Sequence, residues 1–217
     1  MVAAGIGIRR GRGFVVRAAS FRIGPPVPGK AALGILVDQP AQAAAIVDLL
    51  AGVARPAYGE LRVLGHDMAT IRGRAMVRRR VGVARRTARP LPAMRVRGLV
   101  EHAARLAGPG RHDRHLLAAA ILDRLSLMPW AEVPLRAAPD IIVRRARLAA
   151  AAVHQPELLL LDGLLDGLAA RDARALAEVI RDLSRDCGVL VAGCDDAALE
   201  FACDEVLVLT GGVQVSA

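Results

Sequence analysis

Hydrophobic positions along the chain follow two alternating periods. AALGILVD (31–38) and the LLLLD of Leu158 to Asp162 are continuous apolar runs closed by an acid, the pattern of parallel strands covered on both faces. VLVAG (189–193) reads as a further strand. GIGIRR and GFVVRAASFRI read as short N-terminal strands, GELRVLGHDM alternates as a strand entering a turn, and EVLVLTGGVQVS reads as a closing hairpin. Helical spacing fills the intervals. AQAAAIVDLLA predicts a helix closed by Gly52, and RVRGLVEHAARLAG and RHLLAAAILDRLSL predict two more, separated by the breaker GPGRHD. PDIIVRRARLAAAAVHQP predicts a helix from about Pro139 and Asp140 to Pro156, ARDARALAEVIRDLSRDCG a long helix, and DAALEFACD a short one. Strands alternating with helices imply a mostly parallel sheet with helices on both faces and antiparallel pieces at both ends.

At 217 residues, 54% of them apolar, the chain is long enough to bury a substantial core and too apolar for disorder. No apolar run reaches transmembrane length, and the start MVAAGIGIRRGRGFVV lacks the continuous apolar stretch of a signal peptide, so a cytoplasmic protein is expected. Cys187, Cys194 and Cys203 form no C-x-x-C pair and read as free thiols.

The net charge of +9 is carried by arginine, with Lys30 the only lysine. Its densest cluster is IRGRAMVRRRVGVARRTAR (71–89), a surface that could meet nucleic acid, an anionic membrane or an acidic partner. Aromatic residues are only 2% of the chain, which removes a base-stacking platform and disfavours nucleic acid.

Asp162 closes a buried strand, and ligands of open α/β sheets bind outside the carboxyl ends of the strands. It reads either as a Mg²⁺ or water-organising ligand or as a cap on the turn that follows. Asp195 and Asp196 read as helix N-cap residues. His112 and His115, spaced as H-x-x-H, read as a surface loop in preference to a metal site. GPPVPGKA, Gly24 to Ala31, has the G-x-x-x-x-G-K spacing of a phosphate loop, but its three prolines remove amide donors and it runs into a strand, so it reads as a turn.

The order DLLAGVARPAYGELRVLGHDM, RRRVGVARRTARPLPAMRVRGLVEHAARLAG, HQPELLLLDGLLDGLAARDARALAEVI and CDEVLVLTGGVQV resembles the nucleotide-binding domain of ABC transporters over nearly the whole chain. The resemblance implies an α/β, ABC-type P-loop NTPase-like fold. Its mostly parallel sheet is flanked by helices, with an N-terminal antiparallel β part and a helical subdomain at about 90–155 of a single unit spanning 1–217. It also implies ATP and Mg²⁺ as cofactors, a membrane permease and another ABC ATPase subunit or a second copy as partners, and a place at the inner face of the plasma membrane.

On the family's register the phosphate loop falls on VDQPAQAAA, Val37 to Ala45. Its glycine positions hold Val37, Pro40 and Gln42, its lysine position Ala43, and its hydroxyl positions Ala44 and Ala45. The glycines, lysine and hydroxyl of such a loop wrap and neutralise phosphate and bind Mg²⁺. Asp38 is expected to place a negative charge where phosphate would sit. The Q-loop glutamine aligns with Arg86, the signature motif with Ala138 to Ile142, the glutamate after Asp162 with Gly163, the D-loop aspartate with Ala169, and the switch histidine with Cys194. Of the catalytic set only Asp162 stands, and the reading is a pseudo-ATPase subunit of a transport complex. The alternatives are an ABC ATPase that still hydrolyses ATP and a basic adaptor for nucleic acid.

Overall fold

A computed structural model of the chain describes residues 2–10, 13–22, 32–87, 94–106, 108 and 111–215, with the side chains of Arg10, Ala18, Phe21, Arg22, Arg111, His112 and Val215 outside that description. The turn-like segment Gly24 to Ala31 lies outside the described residues.

Ten strands form one sheet in the order β5-β4-β1-β2-β10-β9-β3-β8-β7-β6. Its parallel part comprises β3 (Ala32–Val37), β6 (Val81–Arg85), β7 (Leu158–Asp162), β8 (Gly188–Gly193) and β9 (Cys203–Thr210). The antiparallel part comprises β1 (Val2–Arg10), β2 (Gly13–Arg22), β4 (Tyr58–Val63) and the two-residue β5 (His66–Asp67). β10 (Val213–Val215) closes a hairpin with β9 and joins the two parts by pairing with β2.

The four leucines of β7 explain why its sequence does not alternate. Leu158 and Leu160 face the core beneath α1 (Pro40–Leu50), whereas Leu159 and Leu161 face the core beneath α5 (Asp140–Ala152) and α6 (Ala170–Leu183). Both faces are dry, so every position of the strand is apolar. The second face also receives α3 (Val96–Leu106), α4 (Arg111–Arg124) and α7 (Asp196–Ala202). Among the described residues no helix is long and apolar enough to cross a membrane.

Three sequence expectations shift. The basic cluster at 71–89 contains a helix, α2 (Ile71–Arg78), and the strand β6. The signal for α2 was Thr70, whose hydroxyl accepts the Gly73 N–H at 3.0 Å as an N-cap. α5 ends at Ala152, short of Pro156, because the residue before a proline is driven out of the helical region and Gln155 stands at φ 53°. α4 begins inside the expected breaker, at Arg111.

Candidate functional site

The carboxyl ends of β3, β7 and β8 meet the start of α1. β3 ends at Val37, and α1 begins at Pro40 with Gln39 as its N-cap, proline being suited to the first helical position. The first turn is closed by Gln42. Its carboxamide oxygen accepts the Gln39 N–H at 3.1 Å, and its nitrogen donates to the Val15 carbonyl of β2 at 3.3 Å. Gln42 is buried, and Ala43 and Ala45 behind it pack into the core. One of the amide donors that a bare helix N-terminus leaves open is therefore satisfied from within the chain. Asp38 is exposed, and its carboxylate accepts the Gly211 N–H at 2.5 Å. The turn of the β9–β10 hairpin presents that donor beside the end of β3.

Asp162, at the end of β7, lies in register with Arg85 of β6, and both side chains turn toward α1. Arg85 spans two acids, Asp162 at 3.3 Å and Asp48 of α1 at 2.5 Å. Asp162 is buried. Burial pushes its carboxyl above the ordinary range, Arg85 opposes that, and the charges of Asp48 and Asp166 add to it. Its side chain is thus paired with the Arg85 guanidinium.

Gly163 follows with φ 60° and donates its N–H to the Ala192 carbonyl. The space beside it is taken by Asp166, a residue that sequence reasoning passed over. Asp166 is 8% exposed, and its carboxylate accepts the Cys194 N–H at 3.0 Å. A Cβ on Gly163 would stand 3.2 Å from one Asp166 oxygen, and a Cβ on Gly193 only 2.6 Å from the other. Two glycines therefore make room for one acid. The D-G of LLDGL was its only sequence signal, and it marks a turn without saying where the side chain goes.

Arginines hold this loop from behind. Arg86 donates to the Asp166 carbonyl at 3.2 Å. Arg144, buried on α5, donates to the same carbonyl at 2.8 Å and to that of Leu164 at 2.9 Å, while its other nitrogens bind Asp140 at 2.6 and 2.8 Å. Within Ala138 to Ile142, Pro139 precedes α5, Asp140 is its first residue and Ile142 is buried. Ala169 is the N-cap of α6. The Cys194 thiol is half-buried and pushed up, by burial first and then by Asp166 and Asp38, with Arg86 opposing.

The structure thus brings together Asp38, Gln42, Asp162, Gly163 and Cys194 from the sequence expectations, and adds Asp48, Arg85 and Asp166. Other expectations fall elsewhere. Asp195 caps α7 by accepting the Ala198 N–H at 3.1 Å. His115 pairs with Glu101 at 3.0 Å, and among the described residues no group of three or more His, Cys, Asp and Glu is placed to hold a metal ion.

No family model matches the chain. It is similar to the methionine import ATP-binding protein MetN 2 of Burkholderia mallei, 26% identical over 183 residues that make up 82% of this chain and 46% of that protein. It is also similar to the aliphatic sulfonates import ATP-binding protein SsuB 2 of Paracoccus denitrificans, 33% identical over 156 residues, 70% of this chain and 61% of that protein. The chain thus spans about half the length of these curated relatives. Among solved structures, the dimeric bacterial ABC transporter cassette MJ0796 matches with a TM-score of 0.83 at 14% identity, covering 99% of this chain and 96% of that one. Shared descent with ATP-binding proteins and the shared cassette fold identify the chain as an ABC-type nucleotide-binding domain, homologous to the ATP-binding proteins of ABC transporters.

Proposed function

We propose that this chain is an ATP-binding-subunit-like component of a membrane transport complex that does not hydrolyse ATP and serves as a structural or regulatory subunit. The observation that carries this reading is the start of α1, where Gln42 folds back onto the Gln39 amide and fastens the turn to β2. The residues present do not fit a Mg²⁺-bound triphosphate. Ala43 offers no cation for phosphate oxygens, and Ala44 and Ala45 offer no hydroxyl for the metal. A divalent ion at Asp162 would have to compete with the Arg85 guanidinium already bound there. Gly163 carries no carboxylate to polarise water, and the loss of one such group costs orders of magnitude in rate.

In this reading the chain is cytoplasmic and peripheral at the inner face of the membrane. A permease docks through the helices of about 90–155, and an ABC ATPase or a second copy of the chain is the other partner. A second reading, an ATPase with rearranged residues, draws support from Asp166, whose carboxylate stands between Gly163 and Cys194.

Isothermal titration with Mg-ATP tests the choice. The expected result is no saturable heat up to about 1 mM, a free energy weaker than about −4 kcal/mol. A Gln42→Gly, Ala43→Lys, Ala44→Ser variant is expected to gain binding. Saturable binding to the natural chain that weakens in Asp162→Asn would overturn the reading and favour the second. If binding is seen, turnover lost in Asp166→Asn identifies Asp166 as its acid.

A further inference from the structure

At the opposite end of β6 from the candidate site, beside the close of α2, lies a cleft of about 620 Å³ that shares no residue with that site. Much of its wall is apolar, from Val81 and Val83 of β6, Ala103 and Leu106 of α3, and Ala150 and Ala151 of α5, and His154 adds a polar ring. Arg78 and Arg79 stand at its rim, and no acidic residue lines it. Leu106 is 75% exposed.

Among the described residues, the Arg78 guanidinium donates only to the neutral Gly52 carbonyl, at 2.9 Å, and the Arg79 guanidinium has no partner. The neighbouring pair Arg80 and Glu157 neutralise each other and stand outside the cleft. On α2, whose Gly73 and Val77 are buried, helical spacing turns Ile71, Arg72 and Arg79 outward together. Ile71 is 78% exposed, and Arg72 also lacks a partner among the described residues. Ile71, Arg72 and Arg79 therefore share the outward face of α2, whose C-terminal end borders the cleft.

Two occupants match an arginine rim. An acidic peptide could extend the sheet along β6, an edge strand, but the Val81 carbonyl is engaged by His154, just beyond α5, and the Arg85 carbonyl by Arg147 of α5, so an added strand would have to displace both. A bilayer needs no backbone partner. Its phosphates match the planar fork of arginine, and its acyl region takes up exposed aliphatic side chains.

We propose that the outward face of α2 and this cleft bind an anionic bilayer surface. Headgroup phosphates meet Arg72, Arg78 and Arg79, Ile71 and Leu106 enter the acyl boundary, and one lipid chain lies in the slot against Val83 and Ala151. Lipid binding here requires neither nucleotide nor permease, so it stands or falls separately from the transporter reading.

Flotation of the purified chain with vesicles tests it, using phosphatidylcholine alone and phosphatidylcholine mixed equally with phosphatidylglycerol. The chain is expected to float only with the mixed vesicles and to be released as salt rises. Arg72→Glu with Arg79→Glu should lower the partition coefficient about tenfold or more, and Leu106→Asp should weaken it as well. Arg136→Glu with Arg171→Glu changes the net charge equally at two other exposed positions and should leave partitioning within about twofold. Circular dichroism confirms that each variant is folded. Equal flotation with zwitterionic vesicles, equal losses in the two double variants, or retention on an acidic polypeptide or duplex DNA without flotation overturns the proposal.

Discussion

The Asp166 carboxylate accepts the Cys194 backbone N–H at 3.0 Å while lying against the bare Cα positions of Gly163 and Gly193. The two glycines and the acid form one packing unit. Gly193→Ala would place a Cβ 2.6 Å from an Asp166 oxygen and is expected to cost about 1–3 kcal/mol, the range for overpacking a dense interior. In Asp166→Ala that clash disappears, so the double variant should be more stable than the sum of the single losses, with a coupling above about 0.5 kcal/mol. Urea unfolding of the four proteins measures the cycle, and additive losses would remove Asp166 from the space beside Gly193.

Asp162 provides a test in pH. Its carboxyl is pushed above the ordinary value by burial, despite Arg85. The folded chain thus binds that proton more readily than the unfolded chain does. Keeping Asp162 ionised therefore subtracts stability, a loss that is absent below the ordinary carboxyl range and complete once pH exceeds the folded value. Asp162→Asn is expected to melt higher than the natural chain at about pH 7, with the difference closing toward about pH 3. Thermal unfolding across that range checks the sign.

Arg144 is 4% exposed and binds Asp140 and the carbonyls of Leu164 and Asp166. Removing it strands buried acceptors and opens a void under the loop after β7. Arg144→Ala should cost about 3–5 kcal/mol in urea unfolding, the range for breaking a buried charged network from one side. Arg144→Lys restores the charge without the planar fork and should recover only part of that loss.

The three thiols should separate by reactivity. Cys187 is pushed up to about 11 and Cys203 to about 12, in both cases chiefly by burial. Cys194 is half-buried and raised by burial and nearby carboxylates. At neutral pH the thiolate fraction of the first two is negligible, so a disulfide reagent is expected to modify Cys194 slowly in the folded chain and the others only after unfolding. A Cys194→Ser variant that still reacts at one site while folded would contradict this assignment.

Much of the architecture was legible because it rests on local repetition. Leu158 to Leu161 announced a strand dry on both faces, and the helical spacing of 170–188 announced α6, which ends at Leu183. α2 escaped notice because its arginines hid a short helix whose buried face is only Gly73 and Val77. The site was legible in part. Asp162, Gly163 and Cys194 were located along the chain, and the order of segments pointed to the family that the comparisons support.

Periodicity, punctuation and segment order, all written along the chain, were enough to determine strands, helices, the α/β class and the family register. They could not determine partners. Whether Asp162 faces a metal or Arg85 depends on the register of β6 against β7 and on where α1 sets Asp48. What fills the space beside Gly163 depends on Asp166 reaching Cys194, 28 residues further on. The fastening of Gln42 to β2 likewise needs the antiparallel part packed beside α1. Hydrogen bonds and ion pairs act over a few ångströms in space, and only the assembled sheet brings these distant positions within that reach.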